Sequence, residues 1–419
     1  MPVMAAVLLK KFGLEGQLTL APAGNYSDTA EEYCMKITSF DVFPIRMVPV
    51  KPGFKDHQPF GMEVASNIIV RINTDKGISG LGEVASSPAY FNQTQGALLD
   101  WLKGYSVALE GADPLNIVKA HKIMNTVSGE NAPGCHPARA GVDLALHDLM
   151  GKAFGCPVYQ LLGGAHRTEF TLLTNLYEVT PEAKAAAAKE FVRKGFKGLK
   201  IKIGHRTAAE GISPDTIKAE TDKLIAALEA VPSDIYIDAD PNQSWGSAKI
   251  VVRALEAILR NKFYPNLSIE APIHHLDFEG HRYLRENLRI PVLMDETVVS
   301  PAAMLQIVRH EAADRIVLKH CRVGGLLPAM KIVAICEAAW IGISIDTMPF
   351  TRLGDTANCH LAAAIRDHYP VDAEGHTWFA DTPIRGGLEI KDGSASISDA
   401  PGFGVEIDEK KLATMLIRS

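Results

Sequence analysis

Five side chains in the second half of this chain could together hold a metal ion and move a proton. They are Lys202 in GLKIKIG, Asp240 in YIDADPNQSW, Glu270 in LSIEAPI, Asp295 in PVLMDET and Lys319 in IVLKHCRVGG. Each ends an apolar, β-branched run. Three carboxylates gathered in one place suit a hard divalent cation, which takes oxygen ligands. A lysine that gives up its proton can act as a general base. Two such lysines flanking the acids point to proton transfer. No HExxH motif or cysteine pair accompanies the cluster, which disfavours zinc.

The neighbouring residues refine this reading. Strand side chains alternate, so Lys200 and Lys202 share a face. A lysine inside a covered sheet is costly unless it is paired. Asp238 shares the face of Asp240, but Asp240 ends its run and is the better ligand. Asp238 could instead hold a lysine or a turn, and Asn242 is placed to orient the Asp240 region. Glu270 precedes Ala271 and Pro272, and taken alone it could equally cap a helix. Asp295 and Glu296 are adjacent and must diverge. One is expected inside the barrel, while the other could meet Lys319 or a backbone donor. The steps from 240 to 270, 270 to 295 and 295 to 319 are 30, 25 and 24 residues, each about one βα unit.

The elements that must position these residues follow from the pattern. Residues 1–35 have weak periodicity and form an N-terminal extension. Residues 36–160 read as a small α+β domain: strands in KITSFDVFPIRM, ASNIIVRINTD and GISGLGEVASS, then helices ending in GVDLALHDLMGKAFG. Strands and helices then alternate through residues 161–385. Eight strand candidates fall near 170–174, 197–203, 234–240, 266–271, 291–296, 315–320, 342–347 and 376–380. Helical runs such as PEAKAAAAKEFVRKG separate them, with Pro181 and Gly195 as punctuation. Eight such units predict a closed (β/α) barrel, whose strands deliver functional side chains to one face. An open doubly wound sheet is the competitor, but its glycine-rich dinucleotide loop is missing. Residues 386–419 are strand-and-turn material expected to pack back on the α+β domain.

Composition limits the remaining choices. The 419 residues suffice for one barrel of roughly 250 residues plus a smaller domain. A formal charge of −6 gives no support for nucleic-acid binding. The six cysteines form no CxxC pair and read as packed thiols in a reducing cytoplasm. No 18-residue apolar run suggests a membrane span.

Taken in order, these motifs resemble the enolase superfamily, and within it the muconate-lactonizing-enzyme subgroup. KIK supplies Lys200 and Lys202; DPNQ, IEAP and MDE supply Asp240, Glu270 and Asp295; LKHCRVGG supplies Lys319. The segment AGVDLALHDLMGKAFGCPVYQLLGG resembles the family's entry into the barrel, and PGFGVEID resembles its closing segment. The resemblance runs from about residue 36 to 407. It implies an enolase-like fold: an α/β chain with a modified (β/α) TIM-type barrel and an N-terminal α+β capping domain. It further implies abstraction of the proton α to a carboxylate, with Mg²⁺ (or Mn²⁺) on Asp240, Glu270 and Asp295. Lys202 and Lys319 would face opposite sides of the α-carbon, supported by Lys200. Crowding by like charge and desolvation would lower the pKa of the working base.

Racemisation or epimerisation is the simplest use of two opposed bases. Dehydration of a β-hydroxy acid, cycloisomerisation and a non-enzymatic binding barrel are the alternatives. Lys319 in the sixth-strand position argues against the His–Asp catalysis of the mandelate racemase branch. Cap-domain loops near residues 50–62 and 86–92 are expected over the barrel mouth, with Phe54, His57 and Tyr90 as substrate contacts. Phe350 and Trp378 would add apolar surface there. Phe350 stands where many members carry an acid. The expected partner is a small-molecule carboxylate, with neither nucleic acid nor membrane, for a cytoplasmic homo-oligomer.

Overall fold

A computed structural model describes residues 35–54, 65–129, 136–204, 213–260, 262–367 and 369–417. The cap domain begins with an antiparallel sheet of β1 (Ile37–Pro44), β2 (Ile68–Thr74) and β3 (Ser79–Val84), in that order. Helices α1 (Gln95–Leu109), α2 (Ile117–Ser128) and α3 (Pro137–Phe154) follow. α3 is buried along almost its whole length. A helix covered on all sides must be small or apolar all round. Gly82 and Gly141 meet that demand where α3 crosses β3. A Cβ on Gly82 would stand 1.9 Å from the Gly141 carbonyl oxygen, so this close approach requires glycine.

The second layer is a curled parallel sheet of seven strands among the described residues. Its strands are β5 (Leu173–Leu176), β6 (Gly198–Lys202), β7 (Tyr236–Asp240), β8 (Leu267–Glu270), β9 (Val292–Met294), β10 (Arg315–Leu318) and β11 (Gly342–Ile345), in chain order. β4 (Glu169–Thr171) lies outside it and pairs with a C-terminal strand. The 170–174 run is therefore split between two sheets instead of forming one strand. Helices α4 (Pro181–Arg193), α5 (Pro214–Ala230), α6 (Ala248–Leu259), α7 (Phe278–Asn287), α8 (Pro301–Arg309), α9 (Leu326–Ala339) and α10 (Arg352–Ala363) cover the sheet. Their starts are written in the sequence. Thr180, Ser213 and Ser300 each cap a helix whose next residue is proline.

The eighth position of the barrel differs from expectation. Residues 375–378 form a short 3₁₀ turn, not a strand. The ring is closed one step earlier, by Val371 and Asp372. Val371 accepts from the Leu173 amide and donates to the Thr171 carbonyl, and the Asp372 amide donates to the Ile345 carbonyl of β11. Glycine and a run of polar hydrogen-bonding groups at 374–377 turn the chain out of the barrel at this point.

The C-terminal residues return to the cap. The Ile417 amide donates to Pro44, and Arg46 donates to Met415. Phe403 donates to the Asp148 carboxylate of α3. The GG of LKHCRVGG has a related task. Asp143 of α3 accepts from the Leu326 amide, at the start of α9. Any Cβ on Gly325 would overlap that carboxyl group, at 2.2 Å.

Candidate active site

The C-terminal ends of the barrel strands carry a buried ionic cluster. Lys200 and Lys202 point into it from β6, Asp238 and Asp240 from β7, and Glu270 from the end of β8. Asp295 follows β9, Lys319 follows β10, and Asp346 follows β11. Period-two alternation accounts for the pairs on β6 and β7. Most of these anions then find a cation. Lys202 forms an ion pair with Asp240. Lys200 Nζ lies 2.9 Å from Glu270 Oε2 and 3.0 Å from Asp346 Oδ1. Lys319 Nζ lies 2.7 Å from Asp295 Oδ1 and also meets Asp346. Arg322, in the helical turn after Lys319, donates to Asp295 at 2.6 Å. Asp238 accepts from Ser268 at 2.8 Å, and Asn242 donates its amide to Asp240 Oδ1 at 2.8 Å.

Charge state follows from these partners. Burial disfavours an ammonium, yet Asp240 holds Lys202 above its ordinary pKa. Asp295 and Asp346 do the same for Lys319. Both lysines are therefore held as ammonium groups in this arrangement, opposite to the lowering expected from like-charge crowding. The carboxylates beside them outweigh both burial and the other lysines. Asp346 is pulled well below the carboxylate range by Lys200 and Lys319, which together overcome its burial. Glu270 moves the other way. Burial raises it well above the ordinary value, and Asp240, Asp238 and Asp295 reinforce the shift against Lys200.

The donor set fits a divalent cation. Glu270, Asp295 and Asp346 each offer one oxygen within 4.8 Å of the others. Neither oxygen of Glu270 accepts a hydrogen bond among the described residues, despite full burial. Lys200 Nζ, 2.9 Å from Oε2, is its one close cation among them, which leaves acceptor positions on a buried carboxylate that a metal ion would fill. More buried carboxyl groups than cations meet here: Asp238, Asp240, Glu270, Asp295, Glu296, Asp346 and Asp372 surround Lys200, Lys202, Lys319 and Arg322. Oxygen-only donors with that excess are the chemistry of Mg²⁺.

A cleft opens on this cluster. Lys202, Asn242, Asp295, Lys319 and Asp346 form its polar wall. Phe54, Tyr90, Tyr177, Met348 and Trp378 form much of the remainder. Phe54 comes from the cap and packs against Tyr177 and Trp378 at ring-centroid distances of 5.5 and 5.4 Å. Trp378 reaches the cleft from the 3₁₀ turn and donates to Glu374 at 2.8 Å. His57 lies outside the described residues. Phe350 is fully buried and stacks on His320, with ring centroids 5.1 Å apart; it packs in one apolar cluster with Met348 and Tyr90, behind the cleft and not on its wall. The residues the sequence reading passed over are Asp346, Arg322, Asn175 and Tyr177. Asp346 had a visible signal, since it too is an acid at the end of a β-branched run, GISID.

Comparison with known proteins agrees with this geometry. Residues 183–411 match the family described as Enolase C-terminal domain-like. Residues 45–163 match the mandelate racemase / muconate lactonizing enzyme N-terminal domain. The chain is 30% identical to an N-succinyl-L-Arg/Lys racemase of Bacillus cereus over 386 residues, covering 91% of this chain and 98% of the relative. It is 32% identical to a hydrophobic dipeptide epimerase of Enterococcus faecalis, covering 82% and 92%. The crystal structure of the Bacillus cereus racemase superposes with a TM-score of 0.82 at 28% identity, covering 91% and 98%. Among the described residues, no helix is long and apolar enough to cross a membrane. The chain belongs to the mandelate racemase/muconate lactonizing enzyme subgroup of the enolase superfamily, as a magnesium-dependent enzyme of the racemase and epimerase kind.

Proposed function

We propose that this enzyme racemises or epimerises an amino-acid-derived carboxylate, such as an N-acylated amino acid or a dipeptide, by removing and returning its α-proton. The observation that carries the reading is the placement of Lys202 and Lys319. β6 and β10 are separated by β7, β8 and β9 in the sheet order, so the two lysines stand across the barrel mouth. Both line the same cleft, with Asp295 on its wall. The names of the two relatives and the aromatic wall of Phe54, Tyr177 and Trp378 favour an amino-acid derivative over a heavily hydroxylated acid.

Asp240, Glu270 and Asp295 are proposed as the metal ligands. They end three neighbouring strands. A magnesium ion bound there supplies the positive charge that stabilises the carboxylate as it gains a second negative charge. One lysine, once neutral, removes the α-proton from one face, and the other returns a proton from the opposite face. Lys200 stays protonated between Glu270 and Asp346 and supports the substrate carboxylate electrostatically. Phe54, Tyr90 and Trp378 exclude water from the reacting carbon.

The test is incubation of N-acyl amino acids and dipeptides in D₂O with Mg²⁺, read by NMR and polarimetry. Inversion with gain of one deuterium is the expected result. Loss of water from a β-hydroxy substrate, with no inversion of the unreacted pool, would replace this reading with a dehydratase.

A further inference from the structure

The opposite end of the barrel holds a cavity that the chemistry above does not use. It measures about 360 Å³ and opens among the N-terminal ends of the strands. Lys197, Asp234, Tyr236, Asn266, Ser268, Arg315 and Tyr369 contribute its polar wall. Arg315 is the unusual member. It is only 5% exposed, and no carboxylate pairs with it among the described residues. Its Nη1 donates to the Tyr236 hydroxyl at 2.6 Å. Its guanidinium carbon lies 3.4 Å from the centroid of the Tyr369 ring. Its Nε–H has no hydrogen-bond partner among the described residues. Tyr236 and Tyr369 both line the cavity, so the guanidinium they hold lies at the cavity wall.

We infer that this cavity is a second small-molecule site, built to take a carboxylate or phosphate group on Arg315. A buried guanidinium that no carboxylate neutralises is a costly feature unless an anion completes it. Stacking on Tyr369 and the bond to Tyr236 fix the plane of the fork, and a fixed fork binds an oxyanion through two parallel hydrogen bonds. Lys197 and Asp234, 3.7 Å apart, offset each other in the lining, so Arg315 carries the cavity's positive charge.

The site is also wired to the catalytic end. The Tyr236 hydroxyl meets Ser268 Oγ at 2.7 Å, and Ser268 donates to Asp238 at 2.8 Å. Asp238 lies close enough to Lys200 to influence its charge. An anion on Arg315 therefore sits at one end of a polar chain whose other end is the active-site cluster.

Titration calorimetry of the magnesium-loaded full-length protein tests this, with inorganic phosphate and malonate as separate probes. At least one probe should give saturable, single-site binding, and the stronger of the two identifies the ligand as phosphate-like or carboxylate-like. Arg315→Met should weaken it by about tenfold or more. Gly342→Ala provides a gentler variant that keeps Arg315. Gly342 faces Arg315 across the strand pair, and its new Cβ would meet Arg315 Cγ at 3.1 Å and the Tyr369 ring at 3.3 Å. It should weaken binding similarly, with a normal circular dichroism melt. Lys202→Met should leave the isotherm intact. The inference is overturned if neither probe saturates at millimolar concentration. It is equally overturned if Gly342→Ala and Arg315→Met both bind like wild type, or if Lys202→Met abolishes binding and so places the anion in the active site.

Discussion

Lys202 and Asp240 sit directly opposite each other on neighbouring parallel strands and form an ion pair across that step. The same register places Lys200 opposite Asp238, yet Lys200 spans the barrel to Glu270 and Asp346. Two lysines on one face of one strand therefore serve different acids. Lys202, at the strand end, has its partner at the rim and lines the cleft. Lys200, one layer deeper, ties β6 to β8 and β11. This depth difference separates a side chain that can meet a substrate from one that organises the carboxylates.

Removing either rim lysine should split the reaction by stereochemistry. Lys202→Ala is expected to reduce exchange from one enantiomer by about 10²–10⁴, the usual contribution of a positioned acid or base. Exchange from the other enantiomer through Lys319 should persist, and Lys319→Ala should give the mirror pattern. Deuterium wash-in followed separately for each enantiomer is the measurement. Equal loss from both enantiomers in both variants would reject the two-base reading.

The metal ligands can be separated by single substitutions. Asp240→Asn and Glu270→Gln should each weaken Mg²⁺ binding by about tenfold or more. With Asp240 as the third ligand, Asp346→Asn should weaken it far less. Calorimetric titration with Mg²⁺ decides between the two acids: tight binding in Asp240→Asn with loss in Asp346→Asn would move the site to Glu270, Asp295 and Asp346.

Much of this site is legible in the sequence because strand ends punctuate it. Lys202, Asp240, Glu270, Asp295 and Lys319 each close an apolar run, and each lies at or just beyond a strand end in the structure. Asp346 obeys the same rule, closing the run GISID just beyond β11. The eighth strand was misplaced for a physical reason. HTWFA has the aromatic composition of a strand, but the ring is closed by Val371 and Asp372, a pairing too short to leave a pattern. The sequence offers one of Asp295 and Glu296 to Lys319, and it is Asp295 that pairs with it; the partners of Lys200 and Lys202 are not legible. They depend on the stagger between strands and on which carboxylate reaches furthest across the barrel. Arg322 was hidden likewise, because its role depends on a helical turn that aims it back at Asp295.

The junction between cap and barrel should be sensitive at Glu83. Its Oε1 accepts from Asn67 Nδ2 and the Thr351 amide, both at 2.7 Å. Its Oε2 accepts from Thr351 Oγ1 at 2.7 Å and the Gly354 amide at 2.9 Å. All four partners donate, so the site wants two acceptor oxygens. Glu83→Gln would turn an N–H toward donors and leave them unsatisfied. The expected cost is about 1–3 kcal/mol, a loss of several degrees in thermal unfolding. An unchanged melting temperature would show that cap and barrel are held together elsewhere.

Lys184 should write a pH dependence into stability. It is fully buried on α4, and its Nζ donates to the Leu176 and Lys202 carbonyls, at 2.9 Å each. Burial pushes its pKa down to about 7. A neutral amine has two N–H donors, and the two carbonyls match them. Unfolded, the group titrates near ~10.4. Below pH 7 both states are protonated and the folded state carries the full cost of burying the charge. Between pH 7 and ~10.4 the unfolded chain binds a proton that the folded one has released, so stability rises with pH at up to roughly 1.4 kcal/mol per unit. Lys184→Met abolishes that contribution while leaving every other titrating group in place. Urea unfolding of both proteins at pH 7, 8 and 9 should show the wild type gaining on the variant across the series. Parallel curves would mean that Lys184 is folded as an ammonium, with its charge offset by the two carbonyls and by the nearby Glu178 and Glu220.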